Sequence, residues 1–99
     1  MRIFSKRTLR EYWEKEPLAE TALRGWYGVV EDANWANHNE LKAQYKNASI
    51  IDDSRVVFNI HGNKFRLIVD IDYGTRRVFI AWIGTHKEYD KINVKTINT

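Results

Sequence analysis

The chain is 99 residues long, the size of a single domain (residues 1–99), and its 43% hydrophobic and 29% charged residues are those of a globular protein rather than a disordered one. It has no cysteine, one proline and five glycines, which excludes a disulfide framework, a cysteine-based metal site and collagen-like or linker-rich chains. Sixteen Lys and Arg against thirteen Asp and Glu give a formal charge of +3, which permits a polyanionic partner without naming one.

Residues 1–4 alternate weakly and are predicted to form a short edge strand. Ser5 stands where an N-cap belongs, and Leu9, Tyr12 and Trp13 follow at the i, i+3, i+4 spacing of an amphipathic helix. Pro17 ends that helix and opens the next, because proline is tolerated in a first helical turn. Ala19, Ala22, Leu23, Trp26, Tyr27 and Val30 then mark the clearest helical stripe in the chain. Asp32-Ala33-Asn34 stops it, and Asn39 is expected to cap a short helical piece through Leu41 and Tyr45.

From Arg55 the period changes to two. Val56 to Ile60 reads as a strand, and His61-Gly62-Asn63 as a turn in which Gly62 is free to take positive φ. Lys64 to Tyr73 alternates, with Phe65, Leu67, Val69, Ile71 and Tyr73 on one face and Lys64, Arg66, Asp70 and Asp72 on the other. Gly74-Thr75 makes the next turn. Arg77 to Ile83 forms a third strand whose unbroken apolar run suggests partial cover on both faces. The expected fold is α+β, with two or three N-terminal helices on one face of a small antiparallel sheet.

No apolar run approaches the roughly 20 residues of a membrane helix; the longest is Val78 to Ile83. Met1-Arg2-Ile3-Phe4-Ser5-Lys6-Arg7 has no signal-peptide core behind it, so no membrane partner and a cytoplasmic setting are expected. Glycines 25, 28, 62, 74 and 84 are too scattered for a phosphate loop, and no paired histidine spacing suggests a metal, so neither metal nor cofactor is expected.

Of the three histidines, His38 reads as a solvated loop residue among Asn37, Asn39 and Glu40, and His61 as a hairpin-tip residue. His86 differs, because it follows the third strand at the point where Gly84 ends the pairing, within a run of titratable groups from Lys87 to Asp90. The plainer alternative for this segment is a helix start, with Thr85 as cap and Glu88 closing a capping box, and the two readings are compatible. Lys64, Arg66, Arg76, Arg77 and Lys87 are expected to gather beside His86 and Tyr89 on the sheet face away from the helices, or else to be ordinary solvent-side charges. Trp13 and Trp26 belong to the core by their helix faces; Trp35 and Trp82 are less clearly assigned to it.

Two segments carry a family resemblance. Val57-Phe58-Asn59-Ile60-His61-Gly62-Asn63-Lys64-Phe65-Arg66-Leu67-Ile68 resembles the central signature of the HigB toxins, in the RelE-like superfamily of messenger-RNA interferases. Ile83-Gly84-Thr85-His86-Lys87-Glu88-Tyr89-Asp90-Lys91-Ile92 is similar to that family's second signature, and the likeness covers nearly the whole chain. It implies a RelE-like fold, cleavage of messenger RNA, often at the ribosome, and neutralisation by a HigA-type helix-turn-helix antitoxin. Residue by residue, the likeness covers Asn63 and Arg66 in the first signature and His86, Lys87, Glu88, Tyr89 and Asp90 in the second. Catalytic roles are expected for His86, Tyr89 and Arg66 and RNA contacts from Asn63 and Lys87, to which the basic sheet face adds Lys64, Arg76 and Arg77. Ala81 departs from the Lys or Arg of many relatives, which weakens the expected contribution of the third strand to RNA binding. The alternative function is a non-catalytic RNA- or ribosome-binding domain that blocks translation by occupancy; a third is a protein-interaction domain.

Overall fold

The computed structural model describes residues 1–99. In chain order it has β1 (Arg2–Phe4), α1 (Lys6–Lys15), a 3-10 turn (Pro17–Ala19), α2 (Glu20–Asp32), α3 (His38–Gln44), β2 (Ser49–Ile50), β3 (Arg55–Ile60), β4 (Phe65–Asp72), β5 (Arg77–Thr85) and α4 (His86–Tyr89). The strands form one sheet in the order β1-β5-β4-β3-β2. The meander β3-β4-β5 pairs antiparallel, as expected; the two-residue β2 adds an antiparallel edge that the sequence pattern does not signal, and β1 runs parallel to β5. The chain leaves β1 for the helices, re-enters the sheet at β2 on the opposite edge and reaches β5 only after β3 and β4, and no local pattern signals the direction of that distant pairing.

The α1 stripe buries Leu9 and Trp13, and the α2 stripe buries Leu23, Trp26 and Val30. The helix faces meet Val56, Phe58, Ile60, Phe65, Leu67, Val69, Ile71 and Val78 in one apolar cluster. Burying a side chain of this size contributes about 1.5–3 kcal/mol, so this layer supplies most of the driving force for the fold. Trp35 is also buried here, with its indole N–H donating to Gln44 Oε1 at 3.0 Å. Asn37, not Asn39, caps α3 by accepting from the Glu40 amide, which places the helix start two residues earlier than the sequence suggests. Ser5 occupies the N-cap position of α1 without making the capping hydrogen bond.

The opposite sheet face is covered by a segment without regular structure. Val57 and Ile68, directly paired across β3 and β4, are buried but lie outside the helix-side cluster. The chain after α4 lies on this face, with Ile92, Val94 and Ile97 half-buried. Arg55 fastens it. This side chain is 1% exposed, is bidentate to Asp70 at 2.9 Å for both bonds, and donates through Nη1 to the carbonyls of Val94 (3.0 Å) and Ile97 (2.6 Å). Asn98 Nδ2 adds a bond to the Ala81 carbonyl at 2.8 Å. Ala81 is the extra residue of a bulge, since Ile68 pairs with Trp82 and Val69 with Ile80.

Candidate active site

One end of the sheet gathers most of the chemistry. Strands β3 and β4 are joined by the turn at His61 and Gly62, both in the left-handed region (φ 54° and 65°), as a tight reversal there requires. Beside it β5 ends, with Phe65 paired to Thr85 and Arg66 to Gly84. The chain then turns over the hairpin, and the His86 amide donates to the Lys64 carbonyl at 2.9 Å. Thr85 caps α4 by accepting from the Glu88 amide, while the Glu88 carboxylate accepts from the Thr85 amide, so the capping box is formed as the sequence suggests. This fixes His86 and Tyr89 on a single rigid turn.

Strand alternation puts Asn59, Arg66 and Trp82 on the face away from the helices. The Arg66 guanidinium lies 5.9 Å from the centre of the Tyr89 ring and donates to the Asn63 and Phe65 carbonyls, each at 3.2 Å. Those bonds use only Nη1, leaving the other guanidinium donors for an incoming anion. His86 Nε2 stands 3.5 Å from Asp90 Oδ1 one helical turn on, and the ring is about half exposed (49%), open to a substrate. Lys64 and Lys87 are exposed on the rim, and Asn63 is exposed at the hairpin.

Two residues that the sequence did not single out as site residues shape this surface. The Trp82 indole lies 6.3 Å from Tyr89, centre to centre, and crosses the strand over Gly84. A Cβ on Gly84 would stand 2.4 Å from Trp82 Cη2 and 3.0 Å from Glu88 Oε1. Only glycine fits beneath the indole, and an isolated glycine inside a strand is itself a signal of such close approach. Trp82 therefore lies beside Tyr89 at the candidate site and outside the helix-side core. Below, Tyr12 packs edge-on against Phe65 at 5.9 Å; burial, with the Glu88 and Glu16 carboxylates nearby, pushes its phenol up to about 12.

The structure does not bring all the expected cations together. Arg77 pairs with Asp72, six residues along β4 from Arg66, and at about 3.3 Å per residue the separation is about 20 Å. Arg77 opens β5 and His86 follows its last residue, so the two stand at opposite ends of the same strand. Arg76 is at that far end too, in the left-handed region (φ 58°), donating to Asn34 Oδ1 at 2.8 Å and to the Tyr73 carbonyl.

His38 is not a solvated loop residue. It opens α3 and is half-buried, with Nε2 at 2.8 Å from the Asp52 carbonyl and Nδ1 at 2.6 Å from the Tyr73 hydroxyl. A carbonyl only accepts, so Nε2 carries the hydrogen in the neutral ring and the Tyr73 hydroxyl donates to Nδ1. Burial pushes the Tyr73 phenol up to about 12. These bonds tie α3 to the loop before β3 and to the end of β4, a structural task. His61 stays exposed at the hairpin tip. No group of three or more His, Asp or Glu side chains is arranged to hold a metal ion.

A family profile described as HigB_toxin, RelE-like toxic component of a toxin–antitoxin system, matches residues 19–92. Among curated proteins, the mRNA interferase HigB of Escherichia coli O6:H1 (strain CFT073) is 29% identical, with 93% of this chain and 91% of that protein aligned. The mRNA interferase toxin HigB of Escherichia coli K12 and the mRNA interferase HigB of Shigella flexneri are each 26% identical, over 91% of this chain and 88% of theirs. The profile spans α2 to α4 and takes in both the hairpin of Asn63 and Arg66 and the turn of His86 and Tyr89. The chain belongs to the HigB toxin family, the RelE-like toxic components of toxin–antitoxin systems.

Proposed function

We propose that this toxin is an endoribonuclease that cuts messenger RNA, on the ribosome, by metal-free attack of the 2′-hydroxyl on the adjacent phosphate. The observation that carries the reading is the convergence of Arg66, Tyr89 and His86 at one open end of the sheet, with lysines on the rim. The names of the relatives as mRNA interferases support the substrate class.

In this reading the 2′-oxygen bonds to phosphorus as the bond to the 5′-oxygen breaks, leaving a 2′,3′-cyclic phosphate and a 5′-hydroxyl. The 2′-hydroxyl loses a proton and the 5′-oxygen gains one. His86 makes one of these transfers and Tyr89 is its partner, while Arg66 and Lys87 stabilise the charge growing on the phosphate oxygens. Arg66 suits that task because its planar fork matches two phosphate oxygens. Asn63 and Lys64 hold the strand. The toxin works in the cytoplasm, and its antitoxin partner is a HigA-type helix-turn-helix protein.

The test is to incubate the purified toxin with messenger RNA, with and without translating ribosomes, and to map new RNA ends and the groups they carry. New ends bearing 2′,3′-cyclic phosphate are expected, and His86→Ala is expected to lower their rate by roughly a hundred- to ten-thousand-fold. Binding without new ends would mean inhibition by occupancy instead, and ends bearing a 5′-phosphate and a 3′-hydroxyl would overturn the attack by the 2′-hydroxyl.

A further inference from the structure

Strand β2 is only two residues long and pairs no further along β3 than Val57. The outer edge of β3 from Phe58 to Ile60 is therefore unpaired, and a cleft of about 480 Å³ opens there, between the 44–48 loop and the β3–β4 hairpin. Four carboxamides line it: Gln44, Asn47, Asn59 and Asn63, with Tyr45 and a single cation, Lys46. Gln44 Oε1 is occupied by the Trp35 indole, which leaves its amide hydrogens free, and the carboxamides of Asn47, Asn59 and Asn63 make no hydrogen bond within the protein.

The cleft is prebuilt rather than loose. Lys42 Nζ donates to the carbonyls of Lys46 and Ala48, both at 2.7 Å, and the His38 bonds brace the other end of α3. It also adjoins the candidate active site. Asn59 is paired directly with Arg66, which is paired with Gly84, so two strand spacings, about 10 Å, separate the cleft from the β5 end that carries His86. Arg66 further donates to the carbonyl of Asn63, another residue of the cleft wall.

Neutral carboxamides offer a donor and an acceptor side by side, the pattern that matches base edges, whereas one lysine among them makes a poor phosphate trap. Sequence-selective proteins read RNA through bases splayed out of single strands. We propose that this cleft holds one unstacked base of the RNA strand, next to the nucleotide being cut, and that Asn47 and Asn59 set which base is accepted. The inference rests on the nuclease reading, because the strand is drawn past the cleft by the site at Arg66 and His86.

The test uses full-length toxin with His86→Ala, which keeps the RNA intact, and reads the fluorescence anisotropy of short labelled oligoadenylate, oligocytidylate and oligouridylate. One homopolymer is expected to bind at least about tenfold more tightly than the weakest. Adding Asn47→Ala and Asn59→Ala is expected to shrink that ratio to within about threefold. Equal affinities at the outset, or a ratio that survives both substitutions, would overturn the proposal. Because both side chains are exposed, the variant is expected to melt with the parent. If it does not, Asn47→Asp with Asn59→Asp, which keeps shape but removes the donors, gives the same reading. Cleavage is assayed separately with His86 intact: a toxin that cuts RNA with an unresponsive base ratio refutes the cleft alone. One that never cuts, yet loses its base preference with these asparagines, refutes the nuclease reading alone.

Discussion

Arg55 and Arg66 lie on neighbouring strands and on the same face of one sheet, yet they do opposite work. Arg55 is buried, with its donors committed to Asp70 and to two carbonyls of the C-terminal segment. Arg66 is half-exposed, bonded only to carbonyls of its own hairpin, and rests against an aromatic ring. A carboxylate on the adjacent strand makes the difference: Asp70 faces Arg55, while Asn59 and Gly84 face Arg66. A guanidinium matched by fixed anions is a fastener. One left without a fixed anion at an open sheet end keeps donors free for a mobile one.

The contrast can be broken from either side. The largest effect is expected for Arg66→Ala, which should lower RNA cleavage by about 10²–10³ in rate, as loss of one transition-state donor does, while leaving the melting temperature near that of the parent. Arg55→Ala is expected to invert this pattern. It strips a buried partner from Asp70 and frees the tail, costing about 3 kcal/mol of stability, seen as a lower denaturant midpoint and earlier proteolysis beyond residue 91. Cleavage per folded molecule should hold. Gly84→Ala sits between the two, because the added methyl must displace the Trp82 indole; overpacking of this kind costs about 1–3 kcal/mol. A shift in tryptophan emission together with weaker cleavage is the expected result, and a variant unchanged in both would show that the indole moves freely. The smallest effect is expected for Arg76→Ala with Arg77→Ala: a change in cleavage of about 0.5 kcal/mol or less. A loss comparable to that of Arg66→Ala would mean that the RNA runs the length of the sheet.

Much of this was legible in the chain. The 3.6-residue stripe of α2, the alternation of β4 and the Thr85–Glu88 capping box are local patterns, and each forms where its pattern lies. The juxtaposition of His86, Tyr89 and Arg66 also follows from two strands meeting beside one turn. Charge alone misled where direction mattered: Arg76 and Arg77 are near in sequence to the strand that carries the site, but at its wrong end. Hairpin counting would have found the Arg55–Asp70 pair, because Ile60 opposite Phe65 sets Arg55 opposite Asp70. The structural role of His38 leaves no local signal, because its partners are 14 and 35 residues away. The tail has no periodicity to read, only three apolar residues that need a sheet face already in place.

The parallel pairing of β1 with β5 has a consequence for the order of assembly. Ile3 cannot find Val78 until the intervening chain has been made and folded, and this contact closes a loop of some three-quarters of the protein. Closing a long loop adds little equilibrium penalty but comes late, since distant pairings wait on local ones. During synthesis, α1 and α2 emerge first with their apolar stripes uncovered, and the strands that cover them arrive afterwards. The turn bearing His86 and Tyr89 follows the whole sheet in the chain, so the helices exist well before the candidate site can form.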